Sequence, residues 1–381
     1  MKLLRKPDAA ARKTGRAVRA VVGLLVVAGL VACSTAGYYW QSVSGHLQML
    51  NAARPVNDWL ADAQTPESVR QKLVLSQRIR RFAVDELKLP DNRSYQRYAD
   101  LKRSAVVWNV VAAPPLSLTL KTWCFPVAGC VGYRGYFDEA EAHAEATQLD
   151  AQELETTVYG VPAYSTLGLM NWAGGDPLLN TFIRYPEGEL ARLIFHELAH
   201  QVVYAAGDTI FNESFATAVE RLGGQRWLAR EAAAGHPAAQ ADYAAFDQRR
   251  QQFRALTRAT RLELEAIYGS NEAPTQSNSA EAAIKLIAKQ KAMDAFRSRY
   301  AALKTTWGGY AGYDPWVARA NNAAFGAQAA YDEWVPAFEA VFEREGRDWA
   351  KFYDAVIRLA ALPRGERQQA LKNTIPPKGT D

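Results

Sequence analysis

The pattern of hydrophobic and polar positions changes twice along the chain. Residues 65–90 place apolar side chains near helical spacing between two prolines, which predicts a long helix, with a shorter one before it over 43–62. The next segments are instead rich in β-branched and aromatic residues, which is typical of strands. These predicted strands lie in residues 104–113, 116–125, 130–137 and 153–169, and a helix is expected over 137–152.

From Pro186 onward the pattern is almost entirely helical. Helices are expected over 186–206, 211–232, 238–268 and 279–304, with two more after Tyr331. The order of elements predicts an α+β fold, in which N-terminal helices and a mainly antiparallel sheet precede a large helical part. We expect residues 33–185 and 186–381 to form one integrated catalytic domain.

The first 32 residues carry the pattern of a secretion signal and most of the charge imbalance. They hold seven of the 45 basic residues and one of the 40 acidic residues. The rest of the chain therefore has 38 basic and 39 acidic residues. The net charge of +5 therefore gives no reason to expect a nucleic-acid partner. The apolar run over 20–32 is shorter than the roughly 20 residues of a transmembrane helix and suits a signal peptide.

The apolar run ends in Leu-Val-Ala-Cys, residues 30–33, which resembles a bacterial lipobox. The resemblance implies cleavage before Cys33 and attachment of lipid to that cysteine. Ser34 follows instead of an aspartate, which resembles lipoproteins that continue to the outer membrane. We therefore expect a lipid-anchored envelope protein that faces the periplasm. An uncleaved signal anchor is the alternative.

Two further cysteines, Cys124 and Cys130, flank a short loop that contains proline and glycine. Outside the cytoplasm such a pair is expected to form a disulfide. A metal site is the alternative, which the absence of a nearby histidine in the sequence disfavours.

Two of the five histidines lie four residues apart in the segment ARLIFHELAHQVVY, residues 191–204. Pro186 and the acidic residues after it favour the start of a helix there. Because residues four apart leave the same face of a helix, His196 and His200 could bind one metal ion. In such a motif Glu197 is the base that deprotonates a water for hydrolysis.

The next predicted helix supplies a third ligand. The stretch Asn-Glu-Ser-Phe-Ala, residues 212–216, resembles the one that completes the zinc site of thermolysin-like peptidases, the gluzincins. The resemblance implies Glu213 as the third ligand and one Zn²⁺ per chain, with a fourth position left open for catalysis. Asp208 and Glu220 are candidates to orient the ligands, with a purely structural role as the alternative.

Together with the lipobox and the segments GYRGYF, AYSTLG and DPLLNT, these motifs resemble bacterial lipoproteins described as zinc aminopeptidases. The resemblance covers nearly the whole mature chain. It implies a gluzincin-like catalytic core and a peptide or protein substrate. The GxMEN motif with which one large aminopeptidase family holds the substrate's amine is absent from the sequence, so Asp176 and Glu187 are the candidates for that role.

Catalysis also needs a donor to the developing oxyanion and a surface for the peptide. Tyrosines are the candidate donors: Tyr133, Tyr136, Tyr310 and Tyr313. We favour Tyr310 and Tyr313, because they lie in a glycine-rich loop among the late helices. Residues 162–169 are predicted to form an edge strand that pairs with the substrate backbone.

The sequence thus predicts a membrane-anchored zinc peptidase, which by resemblance is an aminopeptidase. An endopeptidase of the same clan and a zinc-binding envelope lipoprotein without catalysis are the alternatives. Three ligands and a general base favour catalysis, because structural zinc sites usually have four protein ligands. No pattern specifies an oligomeric state.

Overall fold

A computed structural model describes residues 37–125, 129–163, 165–168, 171–269, 279–328 and 334–374. The chain divides into two units, residues 1–48 and 49–381. The first unit is helical over residues 37–48, here called α1. The predicted signal segment and the lipidation candidate Cys33 lie outside the described residues. Within the described ranges, no helix is long and apolar enough to cross a membrane.

Small sheets occupy the N-terminal half of the second unit. The central strand is β3, Val107–Ala113, which pairs antiparallel with β6, Arg134–Tyr136, and with β7, Glu155–Val161. All seven residues of β3 are buried, because helices pack against it as well as strands. The other strands are β1 (Arg54–Pro55), β2 (Arg97–Ala99), β4 (Trp123–Phe125), β5 (Gly129–Val131) and β8 (Leu178–Leu179). β4 and β5 form a hairpin, and β2 pairs antiparallel with β1 and parallel with β8.

Helices account for 62% of the structure, which confirms the mixed α+β class with helices before the sheets. From α1 to the end of the candidate motif segments they are α2 (Val56–Ala61), α3 (Glu67–Asp85), α4 (Glu139–Asp150), α5 (Glu187–Ala199) and α6 (Thr209–Ala233). The remainder are α7 (Ala238–Tyr268), α8 (Ser279–Thr306), α9 (Asp314–Ala318), α10 (Asn322–Gln328), α11 (Val335–Arg344), α12 (Trp349–Ala360) and α13 (Arg364–Thr374).

The main hydrophobic core lies where α5 and α6 pack against each other and against α3 and α11. The rings of Phe195 on α5 and Phe82 on α3 lie 5.9 Å apart. Gly223 on α6 faces the same place, and a Cβ there would lie 2.6 Å from Leu87 and 3.0 Å from Phe195. A side chain at this position would therefore have to displace Leu87 and Phe195.

Three predicted helical segments differ from the structure. The predicted helix over 43–62 is interrupted at Arg54 and Pro55, since a residue before proline is disfavoured in the helical conformation. The predicted helix over 186–206 ends at Ala199. After residue 334 the described chain forms α11, α12 and α13, where two helices were expected, because a left-handed turn at Gly346 and Arg347 and a proline at 363 separate them.

The predicted edge strand over 162–169 is wrong for the residues described there, which are 162, 163 and 165–168. Leu167 and Gly168 have φ angles of 56° and 76°, so the chain turns. The Thr166 backbone N–H donates to both carboxylate oxygens of Asp176, at 3.1 and 3.2 Å, and not to a strand. Tight turn geometry and a local carboxylate thus replace sheet pairing.

Candidate metal centre

The C-terminal end of α5 carries the two histidines of the motif. The helix begins after Pro186, with Glu187 and Glu189 in its first turn, where carboxylates complement the helix dipole. His196 and His200 lie one turn apart at its other end, and their ring centroids are 4.8 Å apart. Both rings leave the helix on one face, as their spacing predicted.

A short connection brings α6 back against these rings. The Asn212 side chain holds it, since its amide accepts from the Ala205 N–H at 2.7 Å and donates to the Ala205 carbonyl at 2.9 Å. These bonds satisfy both backbone groups of Ala205 outside a helix and so fix the connection after α5. Glu213 directly follows Asn212 at the start of α6. The carboxylate of Glu213 faces both histidines.

Three donor atoms meet at this point. Nε2 of His196 lies 3.1 Å from Nε2 of His200, and Oε2 of Glu213 lies 3.3 and 3.8 Å from those two nitrogens. Two donors bound tetrahedrally at the usual zinc distances lie roughly 3.4 Å apart. The observed spacings bracket that separation, so the three residues could hold one metal ion.

The electrostatics also suit a cation. Burial lowers the pKa of His200 to about 4, so its imidazole is neutral and has a free lone pair at neutral pH. Burial raises the pKa of Glu213, but His200 and His196 hold it below the ordinary value. Burial would lower the pKa of His196, but Glu213 and Glu220 raise it well above the ordinary value. The carboxylates therefore favour a positive charge at this place, either a proton or a metal ion.

Glu220 lies seven residues after Glu213 on the same face of α6 and reaches the other side of the His196 ring. Its Oε2 is 3.1 Å from Nδ1 of His196, and its Oε1 pairs with Arg192, which is 3% exposed. Burial raises the pKa of Glu220, but Arg192 lowers it to about 2. The structure thus brings this predicted orienting residue to the site in its charged form.

Asp208, the other predicted orienting residue, has different partners. One of its oxygens accepts from the Phe211 N–H at 3.2 Å and caps α6. The other oxygen accepts from Arg367 at 2.7 Å, and both side chains of this pair are buried. Asp208 therefore stabilises the start of α6 and its contact with α13, and does not orient a ligand.

Glu197 projects beside the two histidines and is partly buried. Within the described part of the chain, its carboxylate makes no hydrogen bond or ion pair. Burial raises its pKa to about 7, and the charges of Glu213 and Asp176 add to the increase. A carboxyl group with a pKa near neutrality that is free of other partners can accept and return a proton.

Among the candidate tyrosines, Tyr133 is the one near these groups. Burial raises its pKa, and the charges of Glu213 and Glu197 raise it further. Tyr133 lies between β5 and β6, directly after the hairpin of β4 and β5.

A disulfide joins Cys124 on β4 to Cys130 on β5, which confirms the predicted pairing of these two cysteines.

The hairpin lies against the connection between α5 and α6. A Cβ at Gly129, whose φ is 73°, would lie 2.6 Å from the backbone nitrogen of Gly207. The hairpin that precedes Tyr133 therefore lies directly against the connection that leads into α6. The sequence hints at this close approach only through Gly129, the glycine next to Cys130. A glycine by itself does not show that Gly207 is the residue it packs against.

The other candidate tyrosines have their contacts elsewhere. The Tyr136 hydroxyl donates to Glu145 at 3.0 Å. Tyr313 stacks on Phe253, with centroids 4.1 Å apart, and Tyr310 packs edge-on against Tyr313. The structure does not bring Tyr136, Tyr310 or Tyr313 to the histidines. Tyr204, which the sequence gave no reason to select, does lie near Glu213, and its pKa is raised by burial and by that charge.

Both carboxylates proposed to hold a substrate amine already have partners. Asp176 is 1% exposed and accepts from Thr166 and, at 3.3 Å, from Gln201. Gln201 directly follows His200, so Asp176 helps to fix the end of α5. Glu187 accepts from the Trp227 indole N–H at 3.1 Å. The sequence did not single out Gln201, because its role depends on a contact 25 residues away.

Comparison with known proteins gives one family. A family model described as "Putative aminopeptidase" matches residues 37–371. No curated protein and no solved structure gives a significant match.

Proposed function

Because this chain belongs to the "Putative aminopeptidase" family, and is thus a peptidase hydrolase, we propose that it is a zinc-dependent peptidase with a gluzincin-like catalytic core. The observation that carries this proposal is the meeting of His196, His200 and Glu213 at separations that suit a tetrahedral ion. Three ligands leave one position open, as a catalytic zinc ion requires.

These three residues would hold one Zn²⁺ per chain. When bound, zinc supplies a Lewis acid that polarises the scissile carbonyl and makes water easier to deprotonate. Glu197 then accepts the proton of the attacking water and delivers it to the leaving amine. Its free carboxylate and its pKa of about 7 support this role.

Two further groups assist the reaction. The Tyr133 hydroxyl donates to the oxyanion that develops on the substrate carbonyl. Glu220 holds the His196 ring in place, and Arg192 keeps Glu220 charged. Since Tyr133 comes from the sheet part and the ligands come from the helical part, these two parts of the unit formed by residues 49–381 work as one catalytic domain.

We propose from the family description that the enzyme removes N-terminal residues. One observation favours an endopeptidase instead. Asp176 and Glu187, the candidates to bind a free α-amine, are both occupied by protein contacts. Comparing peptides that have free and acetylated N-termini decides between the two activities.

We also propose that the protein is attached to the outer membrane by lipid on Cys33 and faces the periplasm. The lipobox sequence at residues 30–33 supports this. The Cys124–Cys130 disulfide agrees with it, because disulfides persist outside the reducing cytoplasm.

The experiment that tests the enzyme is to measure bound zinc and peptide hydrolysis for the wild type and for Glu197→Gln. We expect zinc to remain near one per chain in both proteins, while hydrolysis by the variant falls by orders of magnitude. Glu231→Gln, which replaces a buried acid on α6 that pairs with Arg78, is the matched control and should keep its activity. Equal hydrolysis by wild type and Glu197→Gln would overturn the mechanism, and no bound zinc in either would overturn the site.

A further inference from the structure

Helix α1, residues 37–48, exposes a set of large apolar side chains. Tyr39 is 41% exposed, Trp40 74%, Val43 54% and Leu47 50%. Residues 37–48 contain no aspartate, glutamate, lysine or arginine. The exposed surface of this helix is therefore apolar and aromatic, with uncharged polar residues beside it.

The four exposed side chains form one stripe. At about 100° per residue, their Cα positions fall within an arc of roughly 100° around the helix axis. Gln48 lies outside this arc and is also exposed. Large apolar groups gathered on one exposed face, without charges, indicate a surface that binds an apolar partner.

The position of the helix in the sequence identifies that partner. An apolar run ends at residue 32, the lipid-attachment candidate is Cys33, and α1 begins at residue 37. Four residues span at most about 14 Å when fully extended. A lipid on Cys33, or an uncleaved anchor, would therefore keep the start of α1 within about 14 Å of its membrane attachment.

We propose that α1 lies in the interface of the lipid bilayer, with the stripe of Tyr39, Trp40, Val43 and Leu47 facing the acyl chains. The proposal rests on the proposed membrane attachment and goes beyond it, because a lipid anchor alone leaves the following helix free in water. Tryptophan and tyrosine concentrate at this depth because their rings are amphipathic. A lipid and an apolar helix together also form the two signals that stable anchoring needs.

The absence of charge makes the proposal specific. Most interfacial helices carry lysine and arginine and prefer anionic lipids. Since α1 has neither, its binding should not depend on lipid charge or on salt. Recognition through apolar area alone distinguishes it from a polybasic membrane contact.

The test places an environment-sensitive fluorescent amino acid at position 43 in the full-length chain, with position 48 as the matched control. The protein is reconstituted into phosphatidylcholine vesicles that contain doxyl-labelled lipid, and vesicle flotation reports attachment separately. We expect the label at position 43 to emit at shorter wavelength and to lose most of its emission to the doxyl groups. The label at position 48 should lose little. Vesicles with phosphatidylglycerol, or with high salt, should give the same result.

The other outcomes overturn the proposal in distinguishable ways. Flotation without quenching at position 43 would leave the attachment standing and overturn the interfacial helix. A blue shift without quenching would show that protein covers the stripe, either this chain or a second copy. Quenching that requires anionic lipid or disappears in high salt would assign the contact to basic residues elsewhere. Failure to float would overturn both the attachment and the helix, while hydrolysis by the same sample would test the peptidase separately.

Discussion

Oε2 of Glu220 lies 3.1 Å from Nδ1 of His196, and the other nitrogen of the same ring faces Glu213 at 3.3 Å. One imidazole is thus held between two carboxylates. A carboxylate behind a ligand histidine fixes the ring and increases the basicity of its ligating nitrogen. We therefore expect the contact between Glu220 and His196 to prepare the proposed site for a metal ion.

Replacing Glu220 with glutamine should weaken zinc binding by about 10- to 100-fold, the usual effect of losing such a partner. The neutral amide keeps the size of the side chain but removes the charge that His196 and Arg192 share. Competition with a chromogenic chelator measures the zinc affinity directly. Glu231→Gln is the matched control, because Glu231 is a buried acid on the same helix that pairs with Arg78 and His236. An equal loss of affinity in the two variants would show that general destabilisation of α6 is the cause.

Removing the Tyr133 hydroxyl with phenylalanine should lower kcat by about 10²- to 10³-fold, as the loss of one oxyanion donor does. The KM and the zinc content should stay near the wild-type values, because the ring still packs against the cluster of Val111, Ala113 and Ala323. Steady-state kinetics on one peptide measure both constants. Tyr310→Phe and Tyr313→Phe are controls that should keep full activity. A loss in either control with none in Tyr133→Phe would move the donor to the helical part.

Part of the meeting of the three candidate ligands could be predicted from short-range geometry, because helical spacing alone places His196 and His200 on one face. Glu213 was indicated by the resemblance of residues 212–216, and the structure brings it to the two histidines. Glu220 followed from the same periodicity. The α+β order was equally readable, since the change from strand-like to helical pattern is local.

That Tyr133, among the four candidate tyrosines, lies near Glu213 could not be predicted, because its position depends on contacts between distant segments. The hairpin before it lies against Gly207, 78 residues after Gly129 in the chain. Tyr313 was favoured for its flexible loop, but in the structure its ring stacks on Phe253. The role of Asp208 was missed for the same reason, since its partner Arg367 lies 159 residues away.

Replacing Asp208 with alanine should reduce the free energy of unfolding by about 3–5 kcal/mol, because it leaves Arg367 buried without its partner. Asp348→Ala is the matched control. Asp348 also caps a helix, accepting from the Lys351 N–H, but it is not buried with an arginine, so the loss should be only about 1 kcal/mol. Urea unfolding of the metal-free proteins measures both values. If the two losses were the same, the Arg367 pair would contribute nothing beyond the cap.

The pH dependence of hydrolysis should follow the ionisation of Glu197. Its pKa is raised from 4.5 to about 7, first by burial, so the neutral form is favoured in the metal-free protein. A base must be ionised to accept a proton, and activity is therefore lost as the pH falls through this pKa. A bound cation lowers the pKa of a nearby carboxyl. We expect the acid limb of kcat/KM to lie between 4.5 and about 7.

The matched control for this pH limb is Glu189→Gln. Glu189 lies on the same helix, and burial also raises its pKa to about 7, but it pairs with Arg250 and not with the histidines. Its replacement should leave the acid limb of kcat/KM in place. An acid limb that moved in Glu189→Gln would assign the titration to the arginine network behind the site.

In the metal-free protein, the raised pKa of Glu197 makes the free energy of unfolding fall as the pH rises, whereas activity rises with pH. Because the folded state holds the Glu197 proton more tightly, its contribution is present below pH 4.5 and is lost as the pH rises through about 7. Glu197→Gln should therefore flatten the dependence of the free energy of unfolding on pH in this window.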